Sequence, residues 1–354
     1  MVGFDLGDTL ADRFRAHAAG QSHLYGHAER GLADDFEAGG PTRAVFSGYE
    51  DAPTGSVVQL RLLAAIFRLV LTGRAPALEP YYACLGGEAP PSEVWPPMRA
   101  VIAEHTEELH AALTVAPQTN EIGRTAALLV GLFDAVAAFG AHRIRLLELG
   151  ASAGLHQLLP WFHVTGPGWG WGPTDSPVQL LDAVRGEISA VGLEVVTARG
   201  CDLDPVDATT SEGRLRLTSF VWPFDLNRHE RLAGALTIAD RHPPIVDRAP
   251  ASDWLIDQFG DTPAAAPSDP LTVVWHSVTQ LYWPPTELAA VAATLSAYGR
   301  EHRLAEIGME YAPGGARNQR PEIRSTLWSG DCSPPRRRLL GTAHDHGVPV
   351  RFGG

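Results

Sequence analysis

The chain has 354 residues and carries 41 acidic against 28 basic side chains, a formal charge of −13. Phosphate contacts require clustered positive charge, so this balance argues against a non-specific nucleic-acid binder and against an anionic membrane surface as partner. All 28 basic residues are arginine, which excludes a Walker A loop, a Schiff-base or pyridoxal-phosphate lysine and a Ser–Lys dyad.

The length favours two domains or one enlarged one, and 45% hydrophobic with 19% charged residues is ordinary for a soluble globular protein. Cys84, Cys201 and Cys332 form neither a disulfide framework nor a C-x-x-C metal site. The start, Met-Val-Gly-Phe-Asp-Leu-Gly-Asp, lacks the basic and apolar parts of a signal sequence. No run reaches ~18 uninterrupted apolar residues; the longest candidate, Ala126 to Ala141, is broken by Asp134. The expectation is a cytoplasmic protein without a membrane partner.

Residues 8 to about 140 read as helical. Val57 to Thr72 is apolar on most faces, the pattern of a buried helix. The Pro/Gly-rich stretch from Pro76 to Pro97 reads as a connector, and Met98 to Leu113 as another helix stopped by Pro117. Gln118-Thr-Asn-Glu-Ile-Gly-Arg-Thr125 then opens a helix to about Phe139, with Ile122, Ala126, Leu129, Phe133 and Val136 in one stripe. Asn120 and Arg124 lie on the opposite side. Asn120 suits a helix N-cap with Glu121 near the positive end of the helix; alternatively this polar group faces a cleft.

Arg143 to Leu149 reads as a strand, Gly150-Ala-Ser-Ala-Gly154 as a tight loop, and Leu155 to Phe162 as helical. Glycine lets such a loop turn sharply and approach a ligand, and N–H groups at the following helix start face whatever lies over it. The dinucleotide fingerprint G-x-G-x-x-G fails at two of its three glycines, since Ser152 and Leu155 stand there. The nucleophile elbow G-x-S-x-G fits with Ser152 as nucleophile. An acidic residue followed by G-x-G-x-G, the pattern of S-adenosylmethionine-dependent methyltransferases, reads Glu148-x-Gly150-x-Ser152-x-Gly154 with serine for the middle glycine. Glu148 favours this third reading, because a hydrolase elbow has no use for that carboxylate. A tight turn without any ligand is the plain alternative.

Ser22-x-Leu-Tyr25, Gln118-Thr-Asn-Glu121 with Gly123-Arg124, Gly150-Ala-Ser-Ala-Gly-Leu155, Val221-Trp-Pro223 and His276-Ser277 occur in this order. Over nearly the whole chain the series resembles the bacterial family called domain of unknown function 2332. The resemblance implies a methyltransferase-like Rossmann domain behind an N-terminal helical region, and no particular reaction. In that family asparagine usually follows the glycine loop; here the residue is His156.

Beyond the loop, Trp161 to Pro177 reads as an inserted loop or hairpin, and Gly192 to Thr197 as the second strand. Asp202 or Asp204 at its end is the candidate ribose ligand, because a carboxylate accepts from both hydroxyls. Leu215 to Trp222 is strand or helix, and Asn227 to Ala239 a helix whose Arg228 and Arg231 read as solvated. Pro244 to Asp247 suits a short third strand, with Asp247 as a candidate for the adenine amino group. Leu271 to His276 is the fourth strand, whose carboxyl end presents His276 as a possible general base. Leu304 to Tyr311 is the fifth, and Arg324–Trp328, Arg337–Leu340 and Val348–Phe352 suit antiparallel strands. His344-Asp-His-Gly347 reads as a hairpin turn more readily than as a metal cluster.

The fold expected is α/β: a Rossmann-like, class I methyltransferase-type doubly wound sheet of about seven strands over 141–354, behind a helical cap over 1–140. The function expected is S-adenosylmethionine binding and methyl transfer to a small molecule. Glu148, Gly150, Ser152, Gly154, Asp202 and Asp247 would hold the cofactor. His276, Asn120, Glu121 and Arg124 would line the acceptor pocket. The rivals are a serine hydrolase using Ser152, Asp247 and His276 or His346, and a ligand-binding protein without turnover. The oligomeric state does not follow from the sequence.

Overall fold

The computed structural model describes residues 9–53, 56–118, 120–260, 269–312 and 319–353. The first eight residues, read above for a signal sequence, lie outside them. The chain divides into two units, 1–119 with 211–229, and 120–210 with 230–354.

The first unit is helical. Thr9 and Asp12 form a capping box that starts the helix Leu10–Ala18. The helix Val58–Leu71 is buried along Leu62, Leu63, Ile66, Phe67, Leu69 and Val70, as its apolar faces require. The expected helix from Met98 is two helices, Trp95–Glu104 and Thr106–Ala112. It starts earlier because Pro96 and Pro97 occupy the first turn, where a missing N–H leaves nothing unsatisfied. It breaks at His105, whose φ of −114° and ψ of 25° leave the helical well, while the Thr106 hydroxyl donates to the Ile102 carbonyl. The segment left open as strand or helix forms the helix Ser211–Ser219. Just after it, the ring of Phe224 stacks on His23 at 4.2 Å, and Trp222 and Phe224 meet Tyr25 edge-on.

The second unit is built on a mixed sheet. Its strands are β1 (Arg143–Leu149), β2 (His163–Gly166), β3 (Trp169–Trp171), β4 (Gln179–Leu180), β5 (Val184–Arg185), β6 (Glu194–Asp202), β7 (Val246–Arg248), β8 (Leu271–Ser277), β9 (Arg303–Glu310), β10 (Glu322–Ser329), β11 (Arg336–Thr342) and β12 (Val350–Phe352). Nine of them form one sheet in the order β5-β12-β11-β10-β9-β8-β1-β6-β7, and β3-β2-β4 form a small second one. From β7 to β9 all neighbours are parallel; β10, β11 and β12 then add on antiparallel. The chain winds from β1 outward through β6 and β7, then returns to β8 on the other side of β1. The order therefore reverses between β1 and β8, which is where open α/β sheets leave a crevice outside their carboxyl ends.

Both faces of the sheet are covered, so β8 reads as a continuous apolar run rather than an alternating one, with Leu271 to Trp275 all buried. The helices Ala251–Phe259 and Pro285–Glu301 pack Trp254, Leu255, Val291 and Leu295 against Leu147, Leu149, Val274 and Leu304. On the other face the helix Thr125–Phe139 is buried nearly all round and packs on β9 and β10. Gly131 permits the approach, since a Cβ there would run into the Ile307 side chain. The segment Ile122–Phe139 is thus long and apolar enough to cross a membrane, yet it is a core helix of this unit and groups with the sheet, not with the helices that precede it. Its one acid, Asp134, accepts from the Ser325 hydroxyl at 2.8 Å and pairs with Arg338, tying the helix to β10 and β11.

Asp134→Ala leaves the buried Ser325 hydroxyl without its acceptor and removes the anion beside Arg338. It is expected to lower the unfolding free energy by about 1–3 kcal/mol, read from urea midpoints. Asp134→Asn, which keeps an acceptor for Ser325, should fall between. A midpoint shift no larger than that of an exposed surface substitution would contradict this.

Candidate functional site

The loop after β1 is shaped by three left-handed residues, Gly150 (φ 64°), Ser152 (φ 54°) and Gly154 (φ 69°). For Ser152 that conformation carries strain of roughly 1–3 kcal/mol. Bonds on both sides hold it there. Its N–H donates to Asp202 Oδ2 at 2.8 Å, and its carbonyl accepts from the Val206 N–H at 3.1 Å. The other Asp202 oxygen accepts from the Asp204 N–H at 2.8 Å. At the far end of the loop, the Leu155 N–H donates to Asn120 Oδ1 at 2.7 Å. Asn120 therefore reaches the loop itself, and Glu121 does the capping, accepting from the Gly123 N–H at 3.0 Å.

Glu148, at the end of β1, is 2% exposed. Its Oε1 lies 2.7 Å from His156 Nδ1, while His156 Nε2 lies 2.9 Å from the Glu121 carbonyl. A carbonyl oxygen only accepts, so Nε2 carries a proton and donates. The histidine thus joins the strand end to the turn at 120–124, and Trp275 Nε1 points at its Nδ1 from 3.2 Å. Glu148 Oε2 and Ser152 Oγ are buried with no hydrogen-bond partner among the described residues.

The structure brings Asn120, Glu121, Glu148, Gly150, Ser152, Gly154 and Asp202 together around this loop. Arg124 is turned elsewhere: its Nε donates to the Asp345 carbonyl at 3.0 Å and its Nη1 to the Ser277 carbonyl at 3.4 Å. His344–Gly347 is a turn closed by a Gly347 N–H bond to the His344 carbonyl at 2.7 Å, and Gly347 packs on the backbone of Gly123 and Arg124. Asp247 stands in β7. Its carboxylate is engaged by Arg199 at 3.0 Å and by Trp254 Nε1 at 2.7 Å. Asp204 pairs with Arg248 at 3.0 Å.

His276 is not placed as a base. Its Nδ1 meets Glu310 Oε1 at 2.9 Å and its Nε2 faces Glu306 at 3.5 Å. Burial disfavours the imidazolium, but the bonds to Glu306 and Glu310 outweigh it and raise His276 to about 9. Glu306, which burial alone would push up, is brought below the usual carboxylate range by the same cation. A ring held between two carboxylates is biased toward its protonated form, which disfavours it as a base. The hydrolase set is likewise not assembled: Ser152 Oγ has no partner, His276 is held by glutamates and Asp247 by Arg199 and Trp254. Cys201 offers no thiolate, since burial pushes it up to about 12.

Two arginines expected in solvent are enclosed. Arg228 is 3% exposed, and Arg231 lies 3.5 Å from Glu121. Sequence reasoning also missed Glu306 and Glu310; the signal was two carboxylates on one face of an otherwise apolar strand. Thr279 was missed as well, and its side chain lies where a Cβ on Gly150 would be.

The chain belongs to the family described as uncharacterized protein conserved in bacteria, domain of unknown function 2332, whose model matches residues 8–352. No curated protein matches the chain. No solved structure matches it either.

The His276 charge gives a pH dependence. A group whose folded pKa is raised contributes stability that is fully present below its unfolded value, about 6.5, and lost as pH rises through about 9. Urea midpoints of the wild type should therefore fall from about pH 6 to about pH 10, and the fall should be smaller in His276→Gln. Equal slopes in the two proteins would show that His276 is not held as the cation.

Proposed function

We propose that the crevice at the carboxyl ends of β1 and β6 binds an S-adenosylmethionine-type ligand within a Rossmann-like, methyltransferase-type sheet, and that the chain transfers its methyl group to a small molecule. The observation that carries this reading is the state of the loop's donors. The N–H groups of Ala151, Ser152, Gly154 and Leu155 are already taken, by the Cys201 carbonyl, Asp202, the Ala151 carbonyl and Asn120. A pyrophosphate seeks such donors, and these four are not available to one. What the site offers is acceptors, and a ligand carrying an ammonium and ribose hydroxyls brings donors.

The residues fit that group in part. Glu148 Oε2, buried without a donor, would take the ammonium; leaving it unmatched costs about 1–3 kcal/mol. Each Asp202 oxygen accepts one backbone N–H, and a carboxylate has about four acceptor sites, so capacity for ribose hydroxyls remains. Asp247 already accepts from Arg199 and Trp254 Nε1, so an adenine amino group there would share its carboxylate with both. When bound, the cofactor supplies an electrophilic methyl group. In-line positioning then does most of the work, and an acceptor that is already nucleophilic requires no base; the charged state of His276 is compatible with that. A second reading, binding without turnover, is favoured by the same absence of a placed base.

Thermal shift with S-adenosylmethionine, S-adenosylhomocysteine and NAD tests the reading. A ligand at about 100 times its Kd adds about 2.7 kcal/mol to the native state, a rise of a few degrees in Tm. The two adenosyl ligands should raise Tm, NAD should not, and Glu148→Gln should weaken the rise. A shift with NAD alone, or none with any ligand, would overturn the assignment. Binding without methyl transfer to any acceptor would select the second reading.

A further inference from the structure

We infer that Glu310 and His276 are positioning residues that hold Thr279 against Gly150 and so fix the wall of the ligand crevice on the β8 side. The inference rests on the ligand reading above for its functional half, and on geometry for the rest. Glu310 Oε1 accepts from three groups at once: His276 Nδ1 at 2.9 Å, the Thr279 N–H at 3.1 Å and the Gln280 N–H at 3.4 Å. The carboxylate therefore ties the end of β8 to the two residues that bend away from it. The bend itself is unusual, because Val278, β-branched, sits at φ 50°. Its N–H is fixed to the Met309 carbonyl at 2.9 Å.

The clamp has a built seat. His276 pairs in register with Gly308 of β9, and its ring lies over that glycine, with Cε1 2.6 Å from where a Cβ would stand. Any side chain at 308 would push the ring off Glu310. On the other side of the bend the Thr279 hydroxyl fills the space beside Gly150. The room that a glycine leaves for a ligand is thus taken, on that flank, by the protein's own hydroxyl. Thr279 stands at the end of β8 and Gly150 at the end of β1, on either side of the reversal in strand order. A ligand lying outside these strand ends meets the Thr279 wall, followed by the exposed Leu281 and Tyr282.

The test combines amide hydrogen exchange in the ligand-free protein with S-adenosylhomocysteine affinity, for the wild type, Glu310→Gln, Glu310→Asp and Thr279→Val. Glu310→Gln keeps an acceptor oxygen but removes its charge, and hydrogen bonds to a charged group are roughly twice as strong as neutral ones, a difference of roughly tenfold. Glu310→Gln should therefore speed exchange at the Thr279 and Gln280 amides about tenfold and weaken the ligand about tenfold. Glu310→Asp should recover part of both. Thr279→Val, which puts a methyl where the hydroxyl lies beside Gly150 and leaves the backbone clamp intact, should weaken the ligand without changing exchange at Gln280. Unchanged exchange in Glu310→Gln would overturn the clamp. Faster exchange with unchanged affinity would overturn the wall, as would full affinity in Thr279→Val. A wild type that binds no adenosyl ligand would sink the ligand reading and the wall together, and exchange alone would then decide the clamp. Should Glu310→Gln fail to fold, Thr279→Val still decides the wall.

Discussion

The constraint on which the second unit depends is that the backbone of the Gly150–Leu155 loop is satisfied in large part from outside itself. A buried N–H without an acceptor costs about as much as a lost hydrogen bond, and a loop of three left-handed residues cannot pair these groups as a helix or strand would. Asn120 accepts from one end of the loop and Asp202 from its middle. They come from thirty residues before Gly150 and about fifty after it. The loop can therefore adopt its shape only once the turn at 120–124 and the end of β6 are in place. His156 adds the third tie, from Glu148 to the Glu121 carbonyl. Local structure here is a consequence of the sheet order.

This explains which parts were legible in the sequence. Strand, loop and turn around Gly150 could be read because apolar runs and glycines are local signals. So could β8, β9 and the antiparallel strands near the end. The helix at 125–139 was also legible as an element, but its apolar residues do not say which core they enter, and it joins the sheet. The roles of the charged residues were the least legible. Periodicity gives the face on which a side chain lies; it does not give the partner brought there by another segment. Asp247 read as a free carboxylate at a strand end and is held by Arg199 and Trp254. His276 read as a base and stands between two glutamates. Arg231 read as a surface charge and lies beside Glu121. Asn120 is the converse: read either as a cap or as a cleft residue, it reaches the loop.

The same observations separate two uses of carboxylates at the carboxyl edge of the sheet. Asp247 and one oxygen of Glu310 have donors from the protein for what they do there: an indole and a guanidinium for the first, an imidazolium and two backbone N–H groups for the second, while Glu310 Oε2 is buried without a partner among the described residues. Glu148 keeps one oxygen buried and unmatched, and Asp202 keeps capacity beyond the two N–H groups it accepts. The ligand reading rests on a loop whose donors are already taken, with Glu148 and Asp202 beside it as acceptors, and the family itself adds nothing to it.

The sheet also ends in a particular way. Its outermost strands are the three-residue β7 on one side and the two-residue β5 on the other, and the longer strands inside them are covered only in part: β7 pairs with Gly200–Asp202 of β6, and β12 with Gly341 and Thr342 of β11. Among the described residues this leaves Glu194–Arg199 of β6 and Arg336–Leu339 of β11 without a strand neighbour on the outer side. Edge-to-edge pairing is therefore blunted by charge and not by strand length: Arg199 and Arg336 to Arg338 stand along these open stretches.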